Sequence, residues 1–180
     1  MIKDIEKLKY PIGKFVEPEV ITTILLKEWI ATLETFPDLI QKEVESLSYQ
    51  DLNNRYRPAG WTIKQVVHHC ADSHINSFIR FKLALTEEKP TIKPYNEAMW
   101  AELIDTKEMP IDSSLAIIKG IHQRWVVLLK NLSIKDLQRT FIHPETKREI
   151  SLQTNIGIYA WHCQHHLNHI VNAKKFAYKS

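Results

Sequence analysis

The sequence predicts an all-α fold, a four-helix bundle in a single domain spanning residues 1–180, and three observations predict it. Four long stretches carry apolar residues three and four apart, the spacing of one helix face. Only four glycines punctuate the 180 residues. No run alternates apolar and polar residues long enough to build more than one short hairpin. Helices that each present one apolar face must bury it against one another. The composition, 44% hydrophobic and 25% charged, is that of an ordinary globular chain.

The N-terminal stretch through Tyr10-Pro11-Ile12-Gly13 is expected to be extended and packed on the surface. The first long helix runs from about Glu19 to Leu47, with Ile21, Ile24, Leu25, Trp29, Leu33, Leu39, Ile40 and Val44 on its apolar face. Pro37 lies inside it and should kink or interrupt it, because proline lacks the N–H of the helical ladder. The second follows Pro58-Ala59-Gly60-Trp61 and runs from Thr62 to about Thr86; Thr62 is placed to cap it, and Gln65 completes a capping box. A long crossover connection, Glu87 to Asp112, carries prolines at 90, 94 and 110 and has room for a short helical piece from Asn96 to Ile104. The third helix runs from Ser113 to about Leu132 on Leu115, Ile118, Ile121, Trp125, Leu128 and Leu129. Around His143-Pro144-Glu145, apolar residues flank a polar turn, the pattern of a small hairpin. The fourth helix runs from about Leu152 to Phe176.

Charge and termini exclude several classes. The net charge is +3, with basic and acidic residues interleaved, so there is no stripe for nucleic acid. Met1-Ile2-Lys3-Asp4-Ile5-Glu6-Lys7 is too charged for a signal peptide, and no segment reaches the ~20 apolar residues of a membrane span. A cytoplasmic protein with a small-molecule substrate and no membrane or nucleic-acid partner is expected. The two cysteines, Cys70 and Cys163, suit a reducing compartment and read as buried core thiols.

The chemistry concentrates in Tyr159-Ala160-Trp161-His162-Cys163-Gln164-His165-His166-Leu167-Asn168-His169. Four of the nine histidines fall within eight residues there. Residues four apart stack on one helix face, so His162 and His166 point one way and His165 and His169 another. On a helical wheel His162 and His166 sit on the shoulder of the apolar stripe and look into the bundle. His165 and His169 turn toward its rim or stand behind the ligands. Two imidazoles at this spacing can grip one divalent metal, and the third must come from elsewhere. In the second helix His69 holds the matching shoulder, His68 falls on the solvent side, and His74 lies within the stripe as the rival. Thr62, Gln65, Ser73, Asn76 and Arg80 continue the line of His69, as a lined pocket between helices would. Three neutral imidazoles leave a coordination position open, the design of a catalytic rather than a structural site. The nucleophile would then be water or a thiolate on the metal. Zinc is the first expectation and nickel the second, while the ligand set also suits iron or copper, because ligand type alone does not fix the ion. Asp72 could orient an imidazole. Arg80 reads as a surface salt bridge or as an anchor for an anionic substrate end. His122 and His143 read as ordinary polar residues.

Several stretches resemble one known family. Gly60 through His74, continuing from Asn76 to Lys82, closely resembles the YfiT-like branch of the DinB superfamily. Tyr10-Pro11-Ile12-Gly13, Phe141-Ile142-His143-Pro144-Glu145 and Leu152 through His169 do so as well. The resemblance implies a four-helix bundle, a homodimer, and a divalent metal held at His69, His162 and His166. Members of that branch are described as metal-dependent hydrolases; some relatives resemble S-transferases that use bacillithiol, and others act with mycothiol or glutathione. Cys163-Gln164 departs from the usual pattern, beside the ligands but not among them. The expected function is therefore a metal-dependent hydrolase or a transferase that activates water or a low-molecular-weight thiol. The alternative is a non-catalytic metal-binding module of a stress response or a sensor.

Overall fold

A computed structural model describes residues 5–178; the charged opening at Met1–Asp4 lies outside them. A short helix α1 (Ile5–Lys9) is followed by α2 (Thr23–Val44), a single 3₁₀ turn (Asp51–Asn53), α3 (Ile63–Thr86), α4 (Glu97–Trp100) and α5 (Ile104–Glu108). Then come α6 (Asp112–Lys130), α7 (Ile134–Leu137), an antiparallel hairpin of β1 (Thr140–His143) and β2 (Arg148–Ser151), and α8 (Leu152–Phe176). The four long helices α2, α3, α6 and α8 form the bundle. Its packed pairs are α2 with α6 and α8, and α3 with α6 and α8.

Three of the long helices begin at a hydroxyl residue. The backbone N–H of Leu25 donates to Thr22 Oγ1, that of Gln65 to Thr62 Oγ1, and that of Thr154 to Ser151 Oγ. The Thr62 cap is reciprocal, since its own N–H donates to Gln65 Oε1 at 3.0 Å. Each cap satisfies a donor the helix cannot, worth ~1 kcal/mol. The core joins Leu33, Phe36 and Ile40 of α2 to Ile63, Val67 and Phe81 of α3, Ile118 and Trp125 of α6, and Ile156 and Ile170 of α8. Gly157 lets α2 approach α8: a Cβ there would stand 2.6 Å from the Trp29 ring.

Pro37 does not interrupt the first long helix; α2 continues past it to Val44. Proline removes the N–H that would bond the Leu33 carbonyl four residues back. His122 of α6 supplies the missing donor, its Nδ1 standing 2.6 Å from Leu33 O. The N-terminal stretch is likewise not wholly extended, since residues 5–9 form α1 before Gly13 turns the chain at φ 75°. The Trp161 indole N–H donates to Gly13 O at 3.1 Å and ties this segment to α8.

The crossover carries two short helices, α4 and α5, where one was expected. It is fastened to the hairpin by Ile92 N–H to Ile142 O at 3.0 Å and Ile142 N–H to Pro90 O at 2.9 Å. It also covers the side of α3 that the wheel gave to solvent. His68 is buried there, with Nδ1 2.7 Å from Ser114 Oγ and Nε2 3.3 Å from Met109 O. The wheel missed this because it counts one helix and its stripe, not the chain that later folds across the other face.

Candidate metal centre

α3 and α8 face each other across the bundle with their histidines on the facing surfaces. The ring nitrogens of His69, His162 and His166 lie within 4.8 Å of one another. His69 Nε2 and His162 Nε2 are 3.2 Å apart. Two nitrogens bound to one tetrahedral cation at about 2.0–2.1 Å would be about 3.3–3.4 Å apart, so this spacing fits a shared ion. Burial pulls the pKa of His69 down to about 4, helped by His165. Burial and the neighbouring imidazoles hold His162 and His166 well below the ordinary range. All three rings are therefore neutral near pH 7, the form that ligates a metal. No carboxylate among the described residues is hydrogen-bonded to them.

Behind His162 stands a chain of buried imidazoles. His162 Nδ1 is 3.0 Å from His74 Nε2, His74 Nδ1 is 2.7 Å from His122 Nε2, and His122 Nδ1 meets Leu33 O. Behind His166 stands a shorter one: His166 Nδ1 is 3.4 Å from His169 Nδ1, and His169 Nε2 is 3.1 Å from Lys9 O at the end of α1. His169 also stacks on Tyr56, centroids 3.8 Å apart. His74, the rival candidate, thus stands behind His162 rather than in the group that His162 forms with His69 and His166, and His122 is not an ordinary polar residue but a fully buried one. His122 follows Ile118 by four residues and precedes Trp125 by three, so its place on the apolar face of the third helix was a usable signal.

Two further groups of the described residues have metal-like spacing: His74 with His122 and Cys163, and His165 with His166 and His169. In the first, every imidazole nitrogen already has a hydrogen-bond partner, and burial raises the Cys163 thiol far from its thiolate form. The second shares His166 with the principal cluster. Its His165 stacks on Trp161 and leaves Nδ1 buried without a partner. Cys70 and Cys163 are free and buried, as expected.

The Asp72 carboxylate makes no hydrogen bond to a ring among the described residues; burial and Asp105 raise its pKa to about 6. Two cavities reach the centre. One, of about 420 Å³, opens past Tyr56 and Trp61 onto His69, His162 and His166. The other, of about 670 Å³, is walled by Ser73, Tyr159 and His162 and extends to Arg80 and His143. Glu97 of α4 lines both, and burial raises its pKa. Arg80 has no ion pair among the described residues, so the expected surface salt bridge is not formed there, and it is one of the residues that line the larger cavity.

A family model described as the DinB superfamily matches residues 32–170. The chain belongs to the DinB superfamily. It is 51% identical over 168 residues to a protein of Bacillus cereus (strain B4264), covering 93% of this chain and 96% of that one. It is 52% identical over 167 residues to a protein of Oceanobacillus iheyensis, with the same coverage. Both carry the name "putative metal-dependent hydrolase". The solved structure of YfiT from Bacillus subtilis, described as a probable metal-dependent hydrolase with an unusual four-helix bundle topology, superposes with a TM-score of 0.92. It is 44% identical in sequence and covers 97% of this chain and 99% of its own. A mycothiol-dependent maleylpyruvate isomerase shares the fold at a TM-score of 0.60 and 16% identity, over 86% of this chain and 62% of its own.

Proposed function

We propose that this DinB-superfamily protein is a cytoplasmic metal-dependent enzyme, a hydrolase or a thiol S-transferase, whose divalent cation is held by His69, His162 and His166. Zinc is the first choice of metal and nickel the second. The observation that carries this reading is the convergence of three neutral imidazoles from two helices within 4.8 Å, with two cavities leading to them. The donor set fits such an ion, being all imidazole, uncharged, and free of competing carboxylates. A cation bound there would lower the pKa of a water or of a low-molecular-weight thiol such as bacillithiol.

The chain's own residues supply the rest. Trp61, with its ring centroid 4.7 Å from that of His69, and Tyr56 wall the smaller opening and limit water. In the larger cavity the hydroxyls of Ser73 and Tyr159 are 3.2 Å apart, and Ser73 Oγ lies 3.4 Å from His162 Nε2. Those hydroxyls can orient a polar substrate beside the centre. Arg80, seven residues beyond Ser73 and about 10 Å further along α3, would take an anionic end of that substrate. Glu97 lines both cavities and Glu145 the larger one, and of the two Glu97 is proposed to accept a proton. A homodimer remains part of the proposal, and light scattering tests it.

The test is elemental analysis of protein purified without a nickel column, followed by hydrolysis and thiol-consumption assays on the metal-loaded and stripped forms. The expected result is one zinc or nickel per chain, with turnover that disappears on stripping and in H69A. Turnover unchanged in stripped protein would contradict it. Tight metal binding with no turnover would favour the non-catalytic module.

A further inference from the structure

We propose that His74 and His122, together with Pro37, are positioning residues that hold His162 in its Nδ1–H tautomer, so that Nε2 stays bare toward the cation. The inference rests on the metal reading of His69, His162 and His166. It starts from a backbone atom 129 positions away from His162 in the chain. The Leu33 carbonyl belongs to a fully buried residue of α2, and a buried carbonyl needs a donor. In an ordinary helix residue 37 would give it. Residue 37 is proline and has no N–H to give.

His122 fills the gap, and its bond fixes the proton positions in turn. A carbonyl oxygen only accepts, so His122 Nδ1, 2.6 Å away, carries the hydrogen. A neutral imidazole has one N–H, so His122 Nε2 is an acceptor. His74 Nδ1, 2.7 Å from it, must donate, which leaves His74 Nε2 as an acceptor. His162 Nδ1, 3.0 Å from that atom, must donate in its turn, and His162 Nε2 is left with its lone pair. That lone pair lies 3.2 Å from His69 Nε2. In water the Nε2–H tautomer of histidine predominates, which would put a proton where the cation belongs. The proline and two core imidazoles reverse that preference without adding a charge to a dry interior, as a carboxylate behind the ligand would. Phe36 and Trp125 pack around His74 and His122 with ring centroids 5.2 to 6.2 Å apart, so the chain is also held sterically.

The test reads tautomers and metal affinity separately. Long-range ¹H–¹⁵N correlation spectra of metal-free wild-type protein near pH 7 should show His162, His74 and His122 all protonated at Nδ1. An Nε2–H form at any of the three overturns the proposal with no mutation needed. Zinc affinity, measured by competition with a chromophoric chelator, should fall ~10–100-fold in H122F, the usual cost of losing a partner behind a ligand. Nε2–H signal should appear at His162 in the same variant. H122Q should stay close to wild type, because its amide can donate to Leu33 O and accept from His74. Unchanged zinc affinity in folded H122F, or a loss in H122Q as large as in H122F, overturns the proposal. Should H122F fail to fold, the wild-type tautomers and the H122Q affinity decide. A wild-type protein that binds no zinc or nickel defeats the metal reading itself, whereas tight binding with an Nε2–H His162 defeats only the positioning role.

Discussion

The two imidazole arms behind the centre differ in what anchors them. The inner arm, His162–His74–His122, ends on α2 inside the core, with links of 3.0, 2.7 and 2.6 Å. The outer arm, His166–His169, ends on Lys9, the last residue of the five-residue helix α1, with links of 3.4 and 3.1 Å. Both finish on carbonyls that a helix leaves unserved, one because of a proline and one because the helix stops. The inner arm is as rigid as the core that surrounds it. The outer arm depends on how firmly a short N-terminal segment docks, and short peripheral helices open most readily. Of the two proposed ligands on α8, one is thus fixed by the bundle and the other by its edge.

The largest expected effect would come from breaking the inner arm at its head. H162A removes a ligand rather than its support, so zinc affinity should fall more than ~100-fold, beyond the range for residues behind ligands. Isothermal titration of the metal-free variant measures it; an affinity near wild type would show that His162 is not a ligand. Breaking the outer arm should cost less. H169F keeps a ring to stack on Tyr56 but loses the link to Lys9, and its affinity should drop by ~10-fold, the low end of that range. A loss larger than that of H122F would invert the comparison.

Acid should weaken both arms together. Burial lowers His122 to about 4 and His169 to about 3, from an ordinary value of 6.5. Below pH 6.5 the unfolded chain takes up protons that these folded rings refuse. The contribution of these two rings to the stability of the metal-free protein is therefore fully present above about 6.5 and declines as pH falls toward 4. The slope is on the order of 1 kcal/mol per pH unit for each ring. Urea unfolding of stripped protein at pH 7 and pH 5 tests this, and equal midpoints would contradict it. The smallest effect should come from P37A. Removing an internal proline should raise thermal stability, since proline costs a helix up to ~3 kcal/mol. The new N–H would compete for Leu33 O and loosen the inner arm, so zinc affinity should fall slightly while the melting temperature rises. A parallel rise in both would uncouple Pro37 from the centre.

Much of the bundle was legible in the sequence because its signals are local. Thr62 with Gln65, the apolar spacing of four helices, and the turn around His143-Pro144-Glu145 all act within a few residues. The cluster of His69, His162 and His166 was also within reach, since two of its members share one helix face and the third is chosen by its matching wheel position. What lay beyond local spacing was the partner of each remaining histidine. His74 meets His122 across 48 residues and His162 across 88, and only packing sets those pairs. Pro37 held a usable clue that periodicity alone misreads as a break. A proline inside an apolar helix leaves a buried carbonyl four residues back, and some other donor has to come to it. His68 was misplaced for the same reason: Met109 and Ser114, which meet it, lie 41 and 46 residues further along the chain, and only packing brings them there.

One cation shared by three imidazoles is the centre of the proposed site. Anomalous diffraction at the zinc edge, from crystals of protein loaded with one equivalent of zinc, tests that most directly. The predicted map has one peak per chain at about 2.0–2.1 Å from a ring nitrogen of each of His69, His162 and His166, with a remaining position open to the cavities. A peak on Cys163 beside His74 and His122, or on His165 and His169 without His69, would contradict it.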